Sequence, residues 1–260
     1  MVWLGRNTGR KVWHEGRGNR GEVSTATIEI DRLSVFLTDA GIALWGVAAA
    51  PSIPWPYAPA LPFAISLAWS LDPAIIAEVE HGPTAAYLAE YDRVNRSLLE
   101  ISEELATLLR ALGGRAEPIP PTGSPDPTVT DWVDARVFAH KTAATQAGLG
   151  WIGKTALFVS STLGPRVRLA TVFTDVELPA GTPVTEGRCG SCRRCVEACP
   201  AGAGRDVTWS VGMRRDELLD IYACERQNAS NMGTVGDICG ICVAVCPKGR
   251  SRGTQSRTAS

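Results

Sequence analysis

Cys189-Gly190-Ser191-Cys192-Arg193-Arg194-Cys195-Val196-Glu197-Ala198-Cys199-Pro200 is the stretch on which the reading of this chain turns. Its cysteines are separated by two, two and three residues, and the last is followed by proline. Cys224 comes next, and Cys239-Gly240-Ile241-Cys242-Val243-Ala244-Val245-Cys246-Pro247 then repeats the Cys-Pro ending. These segments use all eight cysteines of the chain. Such a run holds two 4Fe–4S cubanes by thiolates, and its fourth cysteine ligates the other cluster. The spacing therefore predicts one cluster on Cys189, Cys192, Cys195 and Cys246, and another on Cys199, Cys224, Cys239 and Cys242.

Other uses of eight thiols fit less well. A disulfide framework belongs to short secreted chains in an oxidising compartment. This chain has 260 residues and no apolar leader. A pair of zinc sites, each held by four thiolates, would also consume all eight, but zinc knuckles rarely run this spacing into proline twice. Iron–sulfur clusters imply that the chain carries electrons or performs redox chemistry.

Composition removes several function classes. Hydrophobic residues make up 45% and charged residues 20%, as in globular chains. The net charge of −1 gives no global argument for nucleic-acid binding. No apolar run approaches the ~18 residues of a membrane span; the most apolar stretch, 40–50, is shorter and holds Gly41 and Gly46. Reduced cysteines without an export signal predict the cytoplasm.

Residues 1–26 read as a loose tail, with Trp3 and Trp13 the only hints of order and the native start left open. Regular structure is expected from near Thr27. Residues 31–40 read as a helix with an apolar stripe of Leu33, Val35, Phe36 and Leu37. Residues 42–50 read as a buried strand, 63–69 as a second apolar run, and the five prolines of 51–62 exclude a helix between them. A long helix is expected between Pro83 and Gly113-Gly114. Its stripe is Tyr87, Leu88, Tyr91, Val94, Leu98, Leu99, Ile101, Leu105 and Leu108. Residues 118–127 read as a proline-rich loop, 134–147 as a helix, and 156–160 and 167–173 as strands. The prediction is an α/β-layered domain over 27–180, a cluster domain over 181–249 and a disordered end over 250–260.

Gly148-Leu149-Gly150-Trp151-Ile152-Gly153-Lys154-Thr155 matches both the dinucleotide fingerprint and the P-loop pattern. Both require a strand before the glycines and a helix after them. Here the order reads reversed, so nucleotide binding is disfavoured. Glycine permits close backbone approach, and two readings stay open: a plain helix-to-strand turn, or a turn against a cofactor.

Residues His140-Lys141-Thr142-Ala143, Gln146 through Lys154, Phe173-Thr174-Asp175 and the double cysteine motif together resemble the epoxyqueuosine reductase family over about residues 31–249. The resemblance implies a nitroreductase-like, cobalamin-binding α/β domain followed by a small two-cluster ferredoxin-like domain. It also implies cobalamin beside the two 4Fe–4S clusters, with Gly148, Gly150, Trp151 and Lys154 as its contacts. The expected electron donor is one such as a ferredoxin or flavodoxin, and the substrate is unknown. An aspartate fourteen residues before the first glycine is that family's proposed proton donor, which here is Asp134. A helix N-cap is its alternative role. The tRNA-modifying family carries a further helical-repeat domain after its clusters, which is not found here, so a tRNA substrate is not the expectation.

Three functions compete: a corrinoid and iron–sulfur reductase, a plain two-cluster electron carrier or adaptor, and, least favoured, the tRNA enzyme. An open apolar cavity at the glycine turn would favour the first; a filled core there would favour the carrier. His14, His81 and His140 read as structural. Lys154 is read either as a cofactor contact or as a solvated turn residue. Arg166 and Arg168 are expected to face solvent.

Overall fold

Alternating side chains along three strands create two unlike cores. The computed structural model describes residues 3–4, 25–53, 59–121 and 138–249. Helix α1 (Thr25–Asp39) leads into strand β2 (Leu44–Ala49), which pairs antiparallel with β3 (Phe63–Ser70). A two-residue strand β1 (Trp3–Leu4) adds to the edge of β2, so part of the expected tail joins the sheet. Helices α2 (Pro73–Glu78) and α3 (Ala85–Ala111) follow, then edge strand β4 (Ala116–Ile119). Strand β7 (Val167–Thr174) inserts between β3 and β4, giving the five-stranded order β1-β2-β3-β7-β4. Every pairing in this sheet is antiparallel. Pro118, expected in a loop, lies in β4, where an edge strand tolerates a missing N–H.

On one face Trp45, Val47, Ile65, Leu67, Ala170 and Val172 pack against α1, α2 and α3. Within α3, Tyr87, Val94, Leu98, Ile101 and Leu105 of the expected stripe are buried, with Leu109 in addition, while Leu88, Tyr91, Leu99 and Leu108 are half-buried. Thr84 caps the helix start by accepting from the Tyr87 N–H. Gly113 ends it in the left-handed region, with Gly114 N–H to Leu109 C=O and Gly113 N–H to Arg110 C=O, a Schellman ending. In α1, Leu33 and Leu37 are buried, but Val35 is exposed, so the stripe is narrower than expected.

The other face is lined by Ala48, Ala64 and Ala68, with Leu44 and Phe173. Helix α4 (His140–Gln146) lies on it through Ala143, Ala144 and Ala147. Small residues on both sides let the helix approach closely. A Cβ on Gly46 would stand 3.0 Å from Leu149 Cδ2 and 3.2 Å from the Ala147 oxygen.

A separate hairpin, β5 (Gly150–Ile152) with β6 (Phe158–Ser160), leaves this layer. Sequence reading missed β5 and extended β6 back to Ala156, which instead sits in the hairpin turn at φ 57°. Trp151, Ile152 and Val159 form one core with Val184, Ala203, Trp209, Leu218 and Leu219 of the cysteine-rich part. That part carries four short helices: α5 (Arg194–Glu197), α6 (Arg215–Leu218), α7 (Ile221–Ser230) and α8 (Ile241–Ala244). Among the described residues, no helix is long and apolar enough to cross a membrane.

Candidate metal centre

All eight cysteines are free thiols, half-buried between the hairpin, the short helices and α3. They fall into two neighbourhoods. Cys195 lies within electrostatic reach of Cys246, Cys189 and Cys192. Cys224 lies in the same relation to Cys199 and Cys239, and Cys242 to Cys239, Cys224 and Cys199. Cys242 also feels Cys195, so the two groups adjoin there. Chain order is crossed: the last cysteine joins the first three.

Among the described residues, no three His, Cys, Asp or Glu side chains converge as one bare metal ion would require. Ligation by thiolates alone is the chemistry of iron–sulfur cubanes. Burial pushes the Cys195 thiol up to about 11 and raises Cys224, Cys239, Cys242 and Cys246 as well. Bare thiols there keep their protons at neutral pH, so iron binding must release them.

The glycine turn meets these thiols. Gly148 follows α4 at φ 78°, with Leu149 N–H to Ala144 C=O and Gly148 N–H to Thr145 C=O, again a Schellman ending. A helix therefore precedes the glycines and a strand follows, the reverse of a phosphate loop. A Cβ on Gly148 would stand 2.6 Å from the Thr182 oxygen, and one on Gly150 would overlap the Val159 oxygen. Protein fills both faces of the turn towards which a side chain would point. The Trp151 indole N–H donates to Cys189 Sγ at 3.4 Å. Thr155 is buried beside Cys195, and its hydroxyl favours the charged form of that sulfur.

Lys154 is buried and pairs with Asp206 of the cysteine-rich part at 2.8 Å, so it is no solvated turn lysine. Asp206 also binds Arg193 at 2.7 Å, and Lys154 and Arg193 together hold its carboxyl below the usual range. Arg166 is buried too, against expectation. Its guanidinium donates to the carbonyls of Ala244, Cys246 and Lys248, at the end of α8 and beyond it. Arg168 is half-buried, 3.9 Å over the Tyr91 ring and 2.9 Å from Asn95 Oδ1. These partners lie more than 50 residues away in sequence, so local pattern could not reveal them.

Sequence reasoning passed over Thr155 and Tyr87. Tyr87 sits against Gly240, between Cys239 and Cys242, and burial raises its hydroxyl above the ordinary range. His140 is structural, as expected. Its Nε2–H must donate to the Pro120 carbonyl at 2.9 Å, so Nδ1 accepts from the Thr171 hydroxyl at 2.9 Å. Burial holds it neutral, down to about 4. Lys141 donates to the Ala156 carbonyl, and burial brings its ammonium down to about 7. Asp134 lies outside the described residues.

No protein-family model matches the chain. The epoxyqueuosine reductase of Bacillus anthracis is 35% identical over 143 residues, or 48% of this chain and 33% of that protein. A reductive dehalogenase whose structure concerns B12-dependent dehalogenation superposes with a TM-score of 0.69 at 19% identity, covering 91% of this chain and 34% of the other. An epoxyqueuosine reductase superposes with a TM-score of 0.56 at 15% identity, covering 86% of this chain and 66% of the other. The chain thus spans a third of the length of the curated relative. It is related to the epoxyqueuosine reductases over part of its length and shares an α/β fold with them and with reductive dehalogenases.

Proposed function

We propose that the chain is an iron–sulfur redox protein with two 4Fe–4S clusters, serving as the electron-delivery part of a corrinoid-type reductase. One observation carries the first half: eight thiols gathered into two adjoining sets of four with crossed chain order. Cys189, Cys192, Cys195 and Cys246 would hold one cluster, and Cys199, Cys224, Cys239 and Cys242 the other. When bound, the clusters would pass single electrons from a donor such as a ferredoxin or flavodoxin. The protein's own part is to hold the sets side by side at Cys195 and Cys242 and to exclude water around them.

The corrinoid half draws on the relatives. The side-chain faces of Gly148 and Gly150 are filled by protein, and Trp151 and Lys154 are engaged with the cysteine-rich part. These residues do not fit a corrin contact as they stand, and no step is derived through that group. The contacts of the turn also support a second reading, a two-cluster electron carrier whose α/β domain docks a partner.

Anaerobic reconstitution followed by a hydroxocobalamin titration, watched by absorption, tests both halves. About eight iron atoms per chain, with matching labile sulfide, are expected for two cubanes. About four, or stoichiometric zinc, would overturn the cluster reading. Saturable cobalamin binding would support the reductase, and its absence the carrier.

A further inference from the structure

The glycine motif ends in donors aimed at sulfur, and this gives the turn a function that neither a nucleotide nor a corrin explains. We infer that Trp151, Thr155 and Arg166 set the reduction potential of the cluster on Cys189, Cys192, Cys195 and Cys246, making it the more readily reduced of the two. The inference rests on the two-cluster reading above.

Adding an electron to a cluster adds negative charge to its sulfurs. Hydrogen bonds to those sulfurs and nearby positive charge stabilise the reduced form, and so raise the potential. Such donors act strongly in a water-poor site. The first set has three side chains in these roles. The indole of Trp151 donates to Cys189. Thr155 is buried beside Cys195, with its hydroxyl in reach of that sulfur. The Arg166 guanidinium, buried and held by the carbonyls of Ala244, Cys246 and Lys248, places a fixed positive charge beside Cys246.

The second set is served differently. Cys199 accepts the Ala203 backbone N–H at 3.4 Å, and Cys239 accepts from the Ile241 backbone. At Cys224 the positive charge of Arg215 is opposed by the negative charge of Glu225. Cys242 is half-buried with Tyr87 beside it, and burial disfavours added charge there. The first set thus has an indole N–H on sulfur and a buried guanidinium beside it. All three of its residues come from the α/β domain, whose hairpin thereby becomes an electrostatic part of the cluster.

The test uses the full reconstituted chain in redox titrations followed by electron paramagnetic resonance. Trp151→Phe keeps a ring and removes the N–H; Thr155→Val keeps the shape and removes the hydroxyl. Wild type should show two separated midpoints. The double variant should leave the upper cluster about tenfold less reduced at the wild-type midpoint, a fall of about 59 mV for one electron, with the lower midpoint unmoved. Arg166→Met should also lower the upper midpoint, while Arg166→Lys, which keeps the charge, should recover most of the loss. If Trp151→Phe fails to take up iron, Thr155→Val alone carries the test, with a smaller shift in the same direction. Unchanged midpoints at full iron content, or a shift of the lower cluster instead, would overturn the inference alone. A wild-type chain that takes up no second cluster would overturn the two-cluster reading and the inference with it.

Discussion

The two faces of the central sheet are built to opposite rules. Towards α3 the strands present Trp45, Val47, Ile65, Leu67 and Val172, and the strand side of the layer is large and apolar. Towards α4 they present alanines, Gly46 and the buried hydroxyls of Ser66 and Thr171, the latter meeting the buried His140 of the helix. The thick face supplies burial, the main driving force of folding. The thin face positions: it clamps a seven-residue helix, and that helix aims the glycine turn at the cysteines. Stability and function are thereby divided between opposite sides of the same strands.

If this division holds, the two faces should fail in opposite ways. On the thick face, Leu105→Ala removes a fully buried side chain from α3, and should cost about 2–5 kcal/mol in urea unfolding while leaving the cluster potentials unchanged. A variant with normal stability would break the comparison.

On the thin face electrostatics dominates. His140 is neutral when folded, because burial brings it to about 4 from an unfolded value of about 6.5. The unfolded chain therefore binds the extra proton between those values, and stability rises with pH across that window. The contribution is complete above about 6.5, lost below about 4, and of order 3 kcal/mol. His140→Gln should flatten the pH dependence of unfolding in that window; an unchanged slope would show that His140 is not its source.

Filling the thin face should hurt where emptying the thick one does. Gly46→Val forces methyls onto Leu149 and Ala147, and should cost about 1–3 kcal/mol by overpacking. It should also move α4 and so disturb the turn, which a change in the absorption of the reconstituted clusters would report. The smallest effect belongs to the joint. Lys154→Met removes the partner of Asp206, which keeps Arg193 and is partly exposed, so about 1 kcal/mol is expected. Calorimetry of the reconstituted chain would measure it, and a loss well above that would make Lys154 a principal tie between the two parts.

Much of the thick face was legible in the sequence, because helical periodicity reports burial on one side. The stripe of α3 and its terminal glycines are of that kind. The cysteine motif itself was visible in its spacing. The thin face was not, since alanines and a glycine carry little periodic signal, and β5 has only three residues. Arg166 and Arg168 looked solvent-facing because their acceptors are remote: Arg166 reaches Lys248 across 82 residues, and Arg168 reaches Asn95 across 73. Lys154 misled for the same reason, with Asp206 lying 52 residues on. A charge flanking a strand reads as exposed until the chain folds something over it.

Arg166 also bears on the order of events during synthesis. It opens β7, the strand that β3 and β4 both pair with, yet its acceptors at Ala244, Cys246 and Lys248 are the last described part of the chain to be made. Gly164 and Gly249 cross in backbone contact at the same place, with no room for a side chain on either. While the ribosome is still reading the second cysteine motif, the guanidinium lacks those carbonyls, and a buried charge without partners is costly. The sheet therefore cannot settle on β7, the strand between β3 and β4, until the cysteine-rich end has emerged and folded back. A nascent chain stalled short of residue 244 should stay open to protease around 160–170, and the docking of the cysteine-rich end becomes the late step that closes the described fold.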